Sequence, residues 1–355
     1  MSPRFADLSV SGVLGALRVW TRVDGPGGAR DARAPGPPPG GGAGTAPDVR
    51  SDAPVRPSTG SGESVDTATG GAGAPPADAL DVVLERARRC GYGAATTDAL
   101  ATAWSHLAPT VRSVVVDPLA PRARGGASDL PNAGRDGGLG PLTWAGVPAR
   151  QVDPTTCGSA VLASLAAAGD PVLALWLETG RRVGQTAPPE VATAADRGPD
   201  LGADRFGAVQ RTIKRASTRG FPPWPGAFGT PPWGAARVAR FGDVRFDHRV
   251  VDVSRPGQVA DVREAVERAL RRGVPVPMYT GGALSTGLAT AMPRHVVLIT
   301  RTTSRAWHVY EPSRGEVLEL DPRTLGEPGR RAAYGGWTRP AWVLLPRAGG
   351  RPAPG

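Results

Sequence analysis

Apolar positions follow two regimes along the chain. From residue 77 to about 217 they recur at helical spacing, and from 274 to 320 they come in short runs separated by turn residues. Ala77–Arg89 sets Leu80, Val83, Leu84 and Ala87 on one helical face, with Gly91 as a stop, and Thr96–Leu107 predicts a second helix. Pro154 to Thr156 open a helix that runs to about Ala168, Gly169-Asp170-Pro171 break it, and Val172–Thr179 resume. Gly202–Ser217 predict another helix, and Gln258–Arg271 place Val259, Val262, Val266 and Leu270 on one face before Gly273. Val111–Val116 reads as a short strand. Val274–Tyr279, His295–Arg301, Trp307–Glu311 and Glu316–Leu320 read as strands joined by turns, and Trp342–Leu345 adds one more. Residues 118–141 and the Trp/Pro-rich stretch 221–234 read as loops. Helices first and then an antiparallel sheet predict an α+β fold.

Composition adds the domain layout. Gly 49 and Pro 38 make up about a quarter of the 355 residues, and the surplus is uneven. Residues 25–76 hold almost no large apolar side chain, so they cannot offset their ordering entropy and are expected to be a disordered linker. Residues 1–24 form a short N-terminal segment in which Leu17, Val19, Thr21 and Val23 alternate; the pattern does not decide between helix and strand. Residues 77–141 read as a small helical region with a loop, 142–346 as the main folded domain, and 347–355 as a disordered tail.

Charge excludes more than it suggests. The net charge is +10, yet the basic residues are nearly all arginine, Lys214 being the one lysine, and they are scattered. A nucleic-acid surface needs a basic stripe with interleaved aromatics, and none is evident. No run approaches the ~18 apolar residues of a membrane span. Residues 8–20 lack the charged lead-in and cleavage site of a secretory signal. Two cysteines make no disulfide framework, so the chain is expected in the cytoplasm with reduced thiols. Cys and His fall at no metal-ligand spacing, and no cofactor is implied. The oligomeric state is open.

The chemistry lies in two stretches. Gln151-Val-Asp-Pro-Thr-Thr-Cys157-Gly158 leads into a helix, so Cys157 faces the positive end of the helix dipole, which favours thiolate over thiol. Gly158 would let a substrate backbone approach, and Gln151 is an oxyanion donor candidate beside the Cys157 N–H. The second stretch holds His295 on one strand and Glu311, sixteen residues on, on the next. Alone, His295 reads as a core histidine; with a helix-start cysteine upstream it becomes the candidate general base. Antiparallel pairing through the 302–305 turn would set Glu311 beside it, as the carboxylate that orients the ring. His308 is the second histidine candidate; His106 and His248 stand in no constellation, and Cys90, closing an Arg-rich helix, reads as structural.

These blocks resemble the bacterial double-glycine-leader (bacteriocin-processing) cysteine peptidases and related peptidase-like domains, a branch of the papain-like fold. The likeness rests on Gln151, Cys157-Gly158, Gly273-Val274-Pro275, His295-Val296-Val297 and Glu311-Pro312 with Gly315, and spans roughly 142–322. Three departures stand out: Glu311 where the family has Asp, Ser159 where it often has Pro, and no attached transporter segment. The resemblance implies a papain-like cysteine peptidase fold and a hydrolase that cuts an amide or peptide bond of a peptide or protein substrate with Cys157, His295, Glu311 and Gln151. Two alternatives stay open: an acyl transferase with the same triad, and a non-catalytic peptide-binding domain of the same fold.

Overall fold

Every residue from Cys157 to Gly169 is buried, and the fold is arranged around that helix. Its sequence, Cys-Gly-Ser-Ala-Val-Leu-Ala-Ser-Leu-Ala-Ala-Ala-Gly, carries no charge, and a helix without a polar face must be surrounded. The computed structural model describes residues 78–122, 138–195, 204–219, 224, 226, 229–282 and 294–347. The expectations for 1–24, for the linker 25–76 and for all but the first residue of the tail 347–355 lie outside the described residues.

In chain order the described helices are α1 (Ala79–Arg89), α2 (Ala94–Ser105), α3 (Pro109–Val116), α4 (Cys157–Gly169), α5 (Pro171–Thr179), α6 (Pro189–Ala195), α7 (Arg205–Thr218), α8 (Pro232–Val238) and α9 (Pro256–Arg271). The strands are β1 (Gly138–Pro141), β2 (Thr143–Trp144), β3 (Val147–Pro148), β4 (Arg240–Phe241), β5 (Val244–Val250), β6 (Val276–Gly281), β7 (His295–Thr302), β8 (Trp307–Glu311), β9 (Glu316–Leu320) and β10 (Arg339–Pro346). Eight of them form one antiparallel sheet in the order β1-β9-β8-β7-β6-β10-β5-β4, and β2-β3 is a separate hairpin. The fold is α+β, with helices and a large antiparallel sheet.

The middle of the sheet carries the site. All of β6 and the first six residues of β7 are buried, which is why both read as unbroken apolar runs. Helices α4 and α9 both pack on β7, and α4 also packs on α5, α7 and β4. The small side chains of α4 permit close approach. A Cβ added at Gly169 would stand 2.6 Å from the carbonyl carbon of Phe241 and 2.7 Å from its Cα.

Helices α1 to α3 belong to this same compact unit. Their apolar faces form a second core with Val172 and Leu175 of α5 and with Val183. The boundary expected at residue 142 falls inside this unit: the helical region shares its core with α5, which closes it. A buried polar cluster reinforces the joint. Asp170 caps α5 through Val172 N (3.0 Å) and Leu173 N (3.1 Å), accepts from Tyr92 Oη (3.0 Å), and pairs with Arg240 (2.9 Å). Arg240 also grips Glu190 with two hydrogen bonds of 2.9 and 2.7 Å, so one guanidinium compensates two buried carboxylates.

Other local expectations are corrected too. Val111–Val116, rich in β-branched residues, is the end of helix α3: Pro109 supplies the first-turn position, and Val114 and Val115 are buried by tertiary packing. Residues 138–141, read as loop, form edge strand β1 against β9. The stretch 221–234 is not loop to its end, because Pro232 starts α8. Strand β5 was not anticipated; charged residues occupy alternate positions and Phe246 is its one buried side chain.

Candidate active site

Strand pairing decides where His295 and Glu311 meet. In β7-β8 Leu298 faces Tyr310, so Glu311 falls diagonally across from His295 on the same face. His295 Nε2 lies 2.6 Å from Glu311 Oε1, with the two side chains only 8% and 1% exposed. The Cys157 thiol interacts with the same imidazole and helps to raise its pKa. Since Nε2 is engaged with Glu311, Nδ1 is the ring nitrogen left for the sulfur. Burial alone would lower the His295 pKa; the bonds and charges at Cys157 and Glu311 outweigh it and raise it to about 9.

Glu311 is fixed by more than the imidazole. Its Oε1 accepts from Ser313 N (3.0 Å), and Oε2 accepts from Ser313 Oγ (2.7 Å) and Arg314 N (2.9 Å). The turn that supplies these donors closes through Gly315 N to Glu311 O (2.9 Å), with Gly315 at φ +69°. Burial would raise the carboxyl pKa, but the His295 and Ser313 bonds prevail and hold it below 4.5. Sequence reasoning missed Ser313. The Glu-Pro-Ser-Arg-Gly turn was its one signal.

Cys157 opens α4. The preceding turn is closed by Thr156, whose hydroxyl donates to Asp153 O (2.9 Å) and accepts from Asp153 N (3.0 Å). The first N–H groups of a helix have no acceptor inside it, so Cys157 sits where backbone donors gather. Cys157 is 4% exposed. Gly158, expected to make room for substrate, is instead a packing position: an added Cβ would meet Thr230 Cβ at 2.8 Å, Thr230 Oγ1 at 2.9 Å and Val296 Cγ2 at 3.3 Å. Thr230 is held there by Tyr279, which donates to its carbonyl (3.1 Å).

Gln151 is bound to the same turn as Glu311, its N–H donating to Pro312 O (2.8 Å). The buried Gln210 clamps the segment on both sides, accepting from Val152 N (3.0 Å) and donating to Arg150 O (2.9 Å). Gln210 was not anticipated, because nothing in its helix marks it. The Gln151 side chain donates one N–H to Asp153 O (2.9 Å), which leaves the second N–H of the amide unused by that bond. Lys214 ion-pairs with Asp153 (3.8 Å) and donates to the Thr155 hydroxyl, in the turn that precedes Cys157.

The competing candidates are elsewhere. Alternation along β8 turns His308 to the opposite face from Glu311, and burial lowers its pKa. Cys90 donates to Gly169 O (3.2 Å), and burial, with Asp170 nearby, pushes its thiol up to about 12. Trp224 and Trp233 pack on each other edge to face, with centroids 5.1 Å apart. Among the described residues no group of His, Cys, Asp and Glu is arranged to hold a metal ion, and no single helix is long and apolar enough to cross a membrane.

Neither a family model nor a curated protein matches this chain.

Proposed function

We propose that the chain is a papain-like thiol hydrolase that cleaves an amide bond of a peptide or protein, related in design to the double-glycine-leader cysteine peptidases. One observation carries the reading: a buried imidazole whose Nε2 meets a carboxylate at 2.6 Å and which also interacts with a helix-start thiol. A core histidine needs a hydrogen-bond partner; it does not need both a carboxylate and a cysteine.

In this reading His295 Nδ1 takes the thiol proton and the Cys157 sulfur attacks the carbonyl carbon. The C–S bond forms as the carbonyl π electrons move to oxygen. The Cys157 N–H and the second N–H of the Gln151 amide stabilise that oxyanion. Imidazolium then donates its proton to the leaving amine, the C–N bond breaks, and a thioester remains. Water, deprotonated by His295, attacks the thioester and returns the thiolate. Glu311 keeps the ring oriented and stabilises its cation throughout. Both cysteines are free thiols, and a thiol nucleophile suits a reducing compartment, so a cytoplasmic site of action belongs to the same proposal.

A peptide library incubated with wild-type protein and with Cys157→Ser tests the reading. Cleavage products only from the wild type are expected, and equal products from both would refute it. Added primary amine appearing in the product would assign the acyl acceptor as amine instead of water.

A further inference from the structure

We propose that Gly335 is a positioning residue for His295: the absence of a side chain there lets the imidazole stand between Glu311 and Cys157. The inference rests on the reading of His295 as acid and base. Gly335 ends the 3-10 turn Ala332–Tyr334 at φ +66°. A Cβ built on it would overlap the ring, at 2.5 Å from Nε2 and 3.0 Å from Cγ, and would touch Cδ2 closer still. That contact falls on the edge of the ring that meets Glu311.

The turn cannot move aside cheaply. Thr280, opposite His295 in the β6-β7 register, donates its buried hydroxyl to Tyr334 O (2.9 Å). Gly335 N donates to Ala332 O (2.9 Å), Gly336 N to Arg331 O (2.9 Å), and Thr338 N to Gly281 O (3.2 Å). Tyr334 is wholly buried. With the turn pinned, an added methyl must displace the imidazole.

The neighbouring residue provides the control. Gly336 has φ +82°, in the same left-handed region, but a Cβ there meets nothing within 4 Å. Gly335→Ala and Gly336→Ala therefore carry similar backbone strain, and only the first touches the ring.

The test is the alkylation rate of Cys157 across pH in full-length wild type, Gly335→Ala and Gly336→Ala. A catalytic group displaced by about 1 Å loses on the order of 100-fold. Gly335→Ala should lose that much at about pH 6, where alkylation of a thiol depends most on a base beside it. Gly336→Ala should keep the wild-type profile. Matching profiles for the two variants would overturn the proposal. If Gly335→Ala does not fold, melting temperatures in a His295→Ala background decide: with the ring gone, Gly335→Ala should melt with Gly336→Ala, and a persisting deficit would overturn the contact. Wild-type Cys157 reacting no faster than Cys90 would sink the thiol-enzyme reading itself, and this inference with it.

Discussion

His295 Nε2 and Glu311 Oε1 face each other at 2.6 Å inside the protein, one at the start of β7 and the other at the end of β8. The longer glutamate reaches the ring because the turn after it bends back and supplies three donors to its carboxylate. Glu311→Gln should therefore keep the fold but lower turnover. An orienting carboxylate costs on the order of 10⁴ in the serine-protease template, and roughly 10- to 1000-fold is expected here because thiol enzymes form their ion pair more readily. The amide nitrogen would also oppose a donor in the Ser313-Arg314 turn. Glu311→Asp, which keeps the charge, should retain more activity than Glu311→Gln. Steady-state turnover of the three proteins checks the order.

The pair also sets a pH window for stability. His295 is raised from 6.5 to about 9, so its contribution is complete below 6.5 and fades as pH rises through about 9. Glu311 is lowered from 4.5, so its contribution is complete above 4.5 and fades as pH falls through the lowered value. The advantage of wild type over a His295→Gln/Glu311→Gln double variant, in which neither group titrates, should be greatest between about 4.5 and 6.5. Urea midpoints measured across pH give the profile; an advantage that grows toward pH 9 contradicts it.

Gly158→Ala should destabilise the protein by about 1–3 kcal/mol, since the methyl overpacks against Thr230 and Val296. Thr230→Gly should recover part of that loss, because it removes the nearest atoms. Chemical denaturation of the single and double variants measures the coupling. Additive losses would mean that the two residues are not in contact.

Truncation distinguishes the two segments ahead of Cys157. Deleting 1–76 should leave the melting temperature nearly unchanged, because 25–76 carry almost no large apolar side chains. Deleting 1–141 should unfold the remainder or lower its melting temperature sharply. That cut removes β1 from the sheet and uncovers Val172, Leu175 and Val183. Thermal unfolding of both truncated proteins would settle the boundary.

Much of the fold was legible because its signals are local. Strands β7, β8 and β9 are apolar runs bounded by turns, and α4 follows a proline-threonine start with no charge to interrupt it. The pairing of His295 with Glu311 follows from a short hairpin between adjacent strands. What escaped depends on contacts between distant segments. Val111–Val116 has strand-like residues but is held helical by tertiary packing. Gly158 looked like space for a ligand and is filled by Thr230, more than seventy residues away. Gly335 reads as an ordinary turn glycine; its contact with the imidazole appears only when β7 and the 332–334 turn are folded together.

The most direct test of the central claim is competition between the two cysteines for a thiol-directed electrophile. Exposure alone ranks them against the account, because Cys90 is half-buried and Cys157 is buried. Chemistry ranks them the other way, because His295 assists Cys157 while burial pushes the Cys90 thiol up to about 12. Low-dose iodoacetamide near neutral pH, followed by mass mapping, should modify Cys157 much faster than Cys90. His295→Ala should abolish the preference and His308→Ala should leave it intact. Equal rates, or faster modification of Cys90 in the wild type, would contradict the assignment of Cys157 as nucleophile.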